Sequence, residues 1–251
     1  PFSDNTAIIT LEKNCLSQKD ALYIPILSQT FSFLSMLGER EPLPAAPDGM
    51  LPVDFVQDLY RKEYGKFDKY DEYRKNYLPK SETGCSLISL HRQLLQISGL
   101  TRTRGGAFVL TKEGKAILEK KDINALYRKL FFTFVEKYKW GSMDGYEELP
   151  LIQTSVIFGL HILRKKAHKV KSGRRLGTIF LTAFPHLTKT VKDDGWQKPE
   201  DKIMDCYIVR FLSSFCAQFG LVDEEIRGEL ILQKSYFKTT GLFARILEWH
   251  I

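Results

Sequence analysis

The sequence predicts a mainly α fold with small β-hairpins, organised as two fused units that share one order of elements. Three observations predict it. Apolar residues recur at helical spacing in stripe after stripe. A Gly105-Gly106 pair separates two short β-prone runs. Then Gly220-Leu221, followed by Thr240, echoes Gly99-Leu100, followed by Thr111. Glycine and threonine at those places end one helix and start the next.

The elements follow in order, after an N-terminal extension over 1–20. Ile24, Leu27, Phe31, Leu34 and Leu37 form a helical stripe over 21–37. The proline-rich stretch Pro42–Gly49 is extended and then turns at Asp48-Gly49. Val53 to Glu63 reads as a second helix, with Pro52 suited to its first turn. Residues 64–80 form a charged, aromatic insertion. Tyr64, Phe67, Tyr70, Tyr73 and Tyr77 recur there at helical spacing. That stripe can stack on bases or a partner, or pack onto its own unit, and aromatic stripes more often serve cores. Ser81 or Thr83 is placed to cap a third helix, about 84–98, with the stripe Leu87, Leu90, Leu94 and Leu95. A hairpin over 100–110 follows, and Thr111 caps a helix through Leu118, with Glu113 and Gly114 in its first turn.

Helix, extended piece, helix, helix, hairpin: over residues 21–122 this order resembles the winged-helix superfamily. The residues that carry the likeness are Ser98-Gly99-Leu100, the hairpin tip Arg104-Gly105-Gly106, and Leu110-Thr111-Lys112-Glu113-Gly114 running into Ala116-Ile117-Leu118. A second likeness, to uncharacterised bacterial plasmid-borne open-reading-frame proteins, runs through Asp48-Gly49-Met50-Leu51-Pro52 and implies no function.

A connecting helix marked by Leu126, Leu130, Phe134 and Tyr138, with a turn-rich acidic linker, fills 123–149. Residues 150–251 read as a degenerate second winged-helix-like unit. Its helices carry Val156, Leu160 and Leu163; then Leu176, Ile179, Phe180, Ala183, Phe184 and Leu187; then Ile208, Phe211, Leu212, Phe215, Cys216 and Phe219. Val222 to Gly228 and Glu229 to Gln233 are the expected strands, and Thr240 opens a helix through Ile246-Leu247. The shared order of elements is the expected repeat.

Hydrophobic residues make up 43% and charged residues 27%, which suits a globular core. No apolar run is long enough to span a bilayer. The first residues lack a signal-peptide pattern, and the chain starts at Pro1 without Met, as a piece of something longer would. Cys15, Cys85, Cys206 and Cys216 form no C-x-x-C pair and read as reduced thiols in a cytoplasmic protein.

The net charge is +7, and it is local. Arg164, Lys165, Lys166, Lys169, Lys171, Arg174 and Arg175 lie together with no acid among them, while thirty cations and thirty acids balance elsewhere. Such a patch suits an anionic partner; it also suits a solvated helix end and loop.

No catalytic, metal or cofactor motif is found. His91, His161, His168, His186 and His250 show no H-E-x-x-H, and Lys165 lies between His161 and His168. His91 reads as a satisfied boundary histidine. Gly173-Arg174-Arg175-Leu176-Gly177 follows a helix and lacks the Lys-Ser/Thr ending of a phosphate loop. No G-x-S-x-G elbow is present, and Glu147-Glu148 and Asp193-Asp194 sit in turns. The chain is therefore expected to be no enzyme and to need no cofactor.

The winged-helix resemblance implies that the helix before the hairpin enters the DNA major groove while the wing touches phosphate. In this chain that points to Ser89, Arg92 and Gln93, beside Ser86 and Gln96, to wing residues Arg102 and Arg104, and to Lys112 with Lys115 behind them. Alternatively these are an ordinary polar helix face and a charged sheet edge that resists pairing. In the second unit, Asp223-Glu224-Glu225 would repel phosphate, and Arg210, Ser213 and Gln218 add little basic charge. The expected function is a non-enzymatic nucleic-acid-binding or regulatory protein with double-stranded DNA as partner. The alternative is a protein-interaction module on the same scaffold.

Overall fold

A computed structural model describes residues 8–64, 78–142, 144–228 and 233–250. It is mainly helical, with small antiparallel sheets. The chain divides into two compact units, Leu16–Tyr138 and a second that joins Pro1–Cys15 to Lys139–Ile251. The first described strand, β1 (Ile9–Leu11), belongs to this second, C-terminal unit. Part of the expected N-terminal extension is therefore a strand of the C-terminal unit.

The N-terminal unit begins with α1 (Asp20–Tyr23) and α2 (Pro25–Arg40). Pro25 sits at the first helical position, where its missing N–H costs nothing. Next come β2 (Leu43–Pro44), α3 (Val53–Lys62) and α4 (Ser86–Ile97). Ser81 caps a separate 3-10 turn, Glu82–Gly84, and not α4 itself. The hairpin is β3 (Thr101–Arg104) and β4 (Ala107–Leu110), joined through Gly105 and Gly106 at φ 57° and 73°. Two successive positive φ values make the tight turn that matches strand twist, and glycine adopts them without a Cβ clash. The sheet order is β2-β4-β3, all antiparallel.

Then α5 (Lys112–Lys120) starts where Thr111 Oγ1 accepts the Gly114 N–H at 3.1 Å. Last is α6 (Ile123–Glu136). It was expected to connect the units, yet Leu126, Tyr127, Leu130 and Phe131 are fully buried. Each such side chain contributes about 1.5–3 kcal/mol of burial. Its apolar surface wraps around more of the helix than the sequence stripe alone suggested, so α6 is core. Tyr64 is buried against His91, at 5.3 Å between ring centroids. Phe67, Tyr70, Tyr73 and Tyr77 lie outside the described residues.

The C-terminal unit runs through α7 (Pro150–Thr154), α8 (Val156–Lys166), β5 (Lys171–Ser172) and α9 (Gly173–Ala183). α10 (Pro199–Tyr207) continues directly into a π-helix, Ile208–Ala217. Aromatic rings four residues apart follow one another along it: Tyr207 stacks on Phe211 at 5.1 Å, and tilted contacts join Phe211 to Phe215 at 5.9 Å and Phe215 to Phe219 at 5.3 Å. Gly159 of α8 is required beneath this column, since a Cβ there would lie 2.5 Å from Phe211.

The hairpin β6 (Val222–Arg227) and β7 (Lys234–Thr239) follows, with sheet order β5-β7-β6. Of the strand expected at Glu229–Gln233, residues 229–232 lie outside the described residues; the described partner of β6 is β7. The alternation that decides it is Phe237, buried, among more exposed neighbours. α11 (Gly241–Ile246) ends before Leu247, and β8 (Leu247–Trp249) pairs antiparallel with β1.

Each unit thus runs helix, short strand, helix, helix, hairpin, helix, and each sheet places its first strand beside its third. The junctions agree in detail. Leu100 N–H donates to Leu95 O at 2.9 Å, and Leu221 N–H to Cys216 O at 2.8 Å. Thr111 Oγ1 donates to Gly99 O at 2.7 Å, and Thr240 Oγ1 to Gly220 O at 2.7 Å. Thr240 also accepts the Phe243 N–H at 3.2 Å, capping α11 as Thr111 caps α5. Each threonine ties the helix C-terminus before the hairpin to the helix start after it.

Candidate nucleic-acid interface

The polar residues of α4 are largely committed to the unit's own interior. Ser89 is buried, and its hydroxyl donates to the Glu82 carbonyl at 3.1 Å. Arg92 donates through Nε to Glu82 Oε1 at 2.7 Å, through Nη1 to Gln96 Oε1 at 2.8 Å and through Nη2 to Met50 Sδ at 3.6 Å. Glu82 is 1% exposed, and its other oxygen accepts the Leu51 N–H at 2.9 Å. Gln96 Nε2 in turn donates to Thr103 Oγ1 at 3.0 Å. This network fixes the Met50-Leu51 turn and β3 against α4. Ser89 and Arg92 are corrected accordingly: one is packed away and the other neutralises a buried carboxylate. Gln93 is half-buried.

The hairpin is different. Arg102 and Arg104 are exposed on β3, opposite Val109 and Ala107, one strand period apart and so on one face. Lys112 is exposed at the first position of α5. None of the three has a carboxylate partner among the described residues. Lys115 is spent on Glu41, whose carboxyl it holds below its ordinary value.

The seven cations of the C-terminal unit separate into two groups. Arg174 pairs with Asp201 at 2.6 Å and Asp205 at 3.5 Å, and Arg164 lies 4.7 Å over the Trp249 ring. Lys171 is half-buried, opposite the core residue Phe237. Lys165, Lys166, Lys169 and Arg175 are exposed and have no carboxylate partner among the described residues. Lys165 and Lys166 end α8, where the helix dipole favours cations. Arg175 is in the first turn of α9, where the dipole disfavours them and an anion would offset both charges.

Elsewhere in this unit polar groups again face inward. Arg210, expected on an open helix face, is 3% exposed. It donates to both Asp144 oxygens at 2.6 and 2.9 Å and to the carbonyls of Tyr146 and Glu147 at 3.3 and 3.1 Å. Ser213 donates to Glu224 at 2.9 Å. On the long hairpin Glu225 is paired with Arg227 at 2.8 Å, which lowers its carboxyl pKa.

His91 is fully buried, not at a boundary. Its Nδ1 lies 2.8 Å from Leu87 O and its Nε2 has no hydrogen-bond partner. Burial lowers its pKa to about 4, against the opposing pull of the Leu87 and Ile26 carbonyls. Cys206 and Cys216 are buried, and burial pushes the Cys206 thiol up to about 12. Among the described residues no group of three or more His, Cys, Asp or Glu converges as a metal site, and no helix is long and apolar enough to cross a membrane.

Sequence reasoning missed two features. The N-terminal unit holds an open cleft of about 660 Å³, lined by Phe31, Leu118, Gly38 and Glu39, with Leu22 72% exposed at its edge. Trp196 is 94% exposed in the turn before α10. An Asp-Asp-Gly turn carrying a tryptophan was the available signal for the second. No protein-family model, curated protein or solved structure matches the chain.

Proposed function

We propose that the protein is a non-enzymatic nucleic-acid-binding protein of the cytoplasm, built from two fused winged-helix-like units, that holds double-stranded DNA by its phosphates. The observation that carries this is the set of exposed, carboxylate-free cations: Arg102, Arg104 and Lys112 on one unit, and Lys165, Lys166, Lys169 and Arg175 on the other. Phosphate contact requires only such charges. Base reading by α4 is not part of the proposal, because Arg92 and Gln96 already have partners within the unit.

Fluorescence polarisation with a mixed-sequence duplex tests it. Affinity should fall steeply with salt, by about 0.9 log units per log unit of salt for each phosphate neutralised. The combined variant K165E/K166E/K169E should weaken binding of all sequences alike and flatten that slope. Absent or salt-insensitive binding overturns the reading.

A protein-interaction module is the second reading. It is favoured by the open cleft of the N-terminal unit, with Leu22 72% exposed at its edge and the next residue, Tyr23, 71% exposed. Duplex binding that survives the charge reversals, together with loss of a partner on L22D, would move the conclusion there.

A further inference from the structure

Three arginines that lie over aromatic rings can be compared. Arg40 is 5.6 Å over the Phe55 ring and donates through Nη2 to Asp58 at 2.5 Å. Arg227 is 4.4 Å over the Tyr236 ring and donates through Nε and Nη2 to the two Glu225 oxygens, each at 2.8 Å. Arg164 is 4.7 Å over the Trp249 ring and exposed, yet it has no carboxylate partner among the described residues. A ring occupies the face of a guanidinium. The N–H groups lie in its plane and remain open to an oxygen-bearing anion. In Arg40 and Arg227 the chain itself supplies that anion.

The indole under Arg164 is fixed from two sides. Trp249 pairs with Ile9 of β1, and the His250 N–H that follows donates to Ile8 O at 3.0 Å. Leu247, one strand period earlier on the same face of β8, is 3% exposed. The His161 ring makes a T-shaped contact with the indole at 5.9 Å, three residues before Arg164 and so on its face of α8. An arginine laid on such a surface has lost much of its rotamer freedom before any ligand arrives.

The surrounding charge selects the sign of that ligand. Lys165, Lys166, Lys169 and Arg175 are exposed and have no carboxylate partner among the described residues. The acids on neighbouring elements are engaged elsewhere. Asp201 and Asp205 take Arg174. Glu248 alternates with Trp249 along β8, accepts the Thr10 hydroxyl at 3.3 Å and lies 3.9 Å from His250.

We propose that Arg164, oriented by Trp249, holds one backbone phosphate of the bound nucleic acid through two parallel N–H···O bonds, while the lysines after it contribute charge alone. The proposal rests on the nucleic-acid reading above. It adds Arg164 as an oriented contact and Trp249 as a positioning residue.

The test measures duplex affinity against salt for the full chain and its variants. R164A should weaken binding about tenfold and lower the salt slope by about 0.9. R164K keeps the charge and loses the fork, so the slope should stay while affinity falls about three- to fivefold. W249A should do the same, and should add nothing in the R164K background. W249F keeps a ring face and should restore most of the affinity. W249L fills the same place without a ring face and should not. Packing of the β1–β8 ribbon alone would make those two variants bind alike, and thermal unfolding of both reports that packing directly. Equal affinity of R164K and the parent chain, equal binding by W249F and W249L, or tighter binding by W249A each overturns the fork proposal alone; the last would show that the indole masks the arginine. If no duplex is bound, the broader reading fails. Inorganic polyphosphate taken through the same variants then decides the fork: the same ranking upholds it and no ranking overturns it.

Discussion

The two units follow one order of elements and one sheet topology but place their chemistry differently. In the N-terminal unit the hairpin is short, turns on two glycines and carries exposed arginines. In the C-terminal unit it is longer, its β6 strand carries Asp223, Glu224 and Glu225, and the preceding helix widens into a π-helix. The unpartnered cations have moved to the opposite end of the element order, around β5. What persists is the threonine junction and the apolar core. A scaffold of this kind constrains junctions and packing tightly and leaves the charged surface free to change.

Each unit sets one arginine of the helix before the hairpin on a carboxylate: Arg92 on Glu82, which lies just ahead of α4, and Arg210 on Asp144, which lies ahead of α7. Removing the arginine leaves an uncompensated carboxylate, so R92A and R210A should each cost about 3–5 kcal/mol. Chemical denaturation followed by residue-resolved hydrogen exchange should place the loss in the matching unit. Equal loss of protection in both units would break the comparison.

The junctions provide a second contrast. A Cβ on Gly114 would lie 2.2 Å from the Leu100 carbonyl oxygen, whereas nothing lies within 4 Å of one on Gly241. G114A should therefore destabilise by about 3 kcal/mol through forced backbone movement. G241A should be neutral or stabilising by about 0.5 kcal/mol, through a less flexible unfolded chain. Similar melting shifts for the two variants would show that the junctions tolerate a Cβ alike and would break this contrast.

The third contrast is acid sensitivity. His91 is the histidine sealed in the N-terminal unit; in the other unit His161 is half-buried, and His168, His186 and His250 are exposed. With a folded pKa near 4 against an ordinary 6.5, His91 stays neutral when folded but takes a proton when unfolded. Stability is fully present above pH 6.5 and falls as pH drops towards 4, by about 3 kcal/mol. H91F should remove most of that pH dependence. An unchanged slope would assign acid sensitivity to other groups.

The hairpin at Gly105-Gly106 and the threonine caps were legible in sequence because local sterics and local hydrogen bonds determine them. The inward commitment of Ser89, Arg92 and Arg210 was not. Helical period tells which residues share a face, but a serine or arginine has the same letter whether it meets water or a buried carboxylate. The β1–β8 pair was equally hidden, since its strands are three residues each and lie at opposite ends of the sequence. β7 was not anticipated because Leu230-Ile231-Leu232 attracts a strand assignment by composition, whereas the β7 residues alternate around the single buried Phe237.

That β1–β8 pair has a consequence for synthesis. Ile9 faces Trp249, so one strand of the ribbon leaves the ribosome early and waits for the other while nearly the whole intervening chain is made. The unit between them, Leu16–Tyr138, is contiguous and can close on its own in the meantime. Until β8 has emerged, the waiting strand is an unsatisfied β edge, and slow translation prolongs the time in which it can pair with the wrong neighbour.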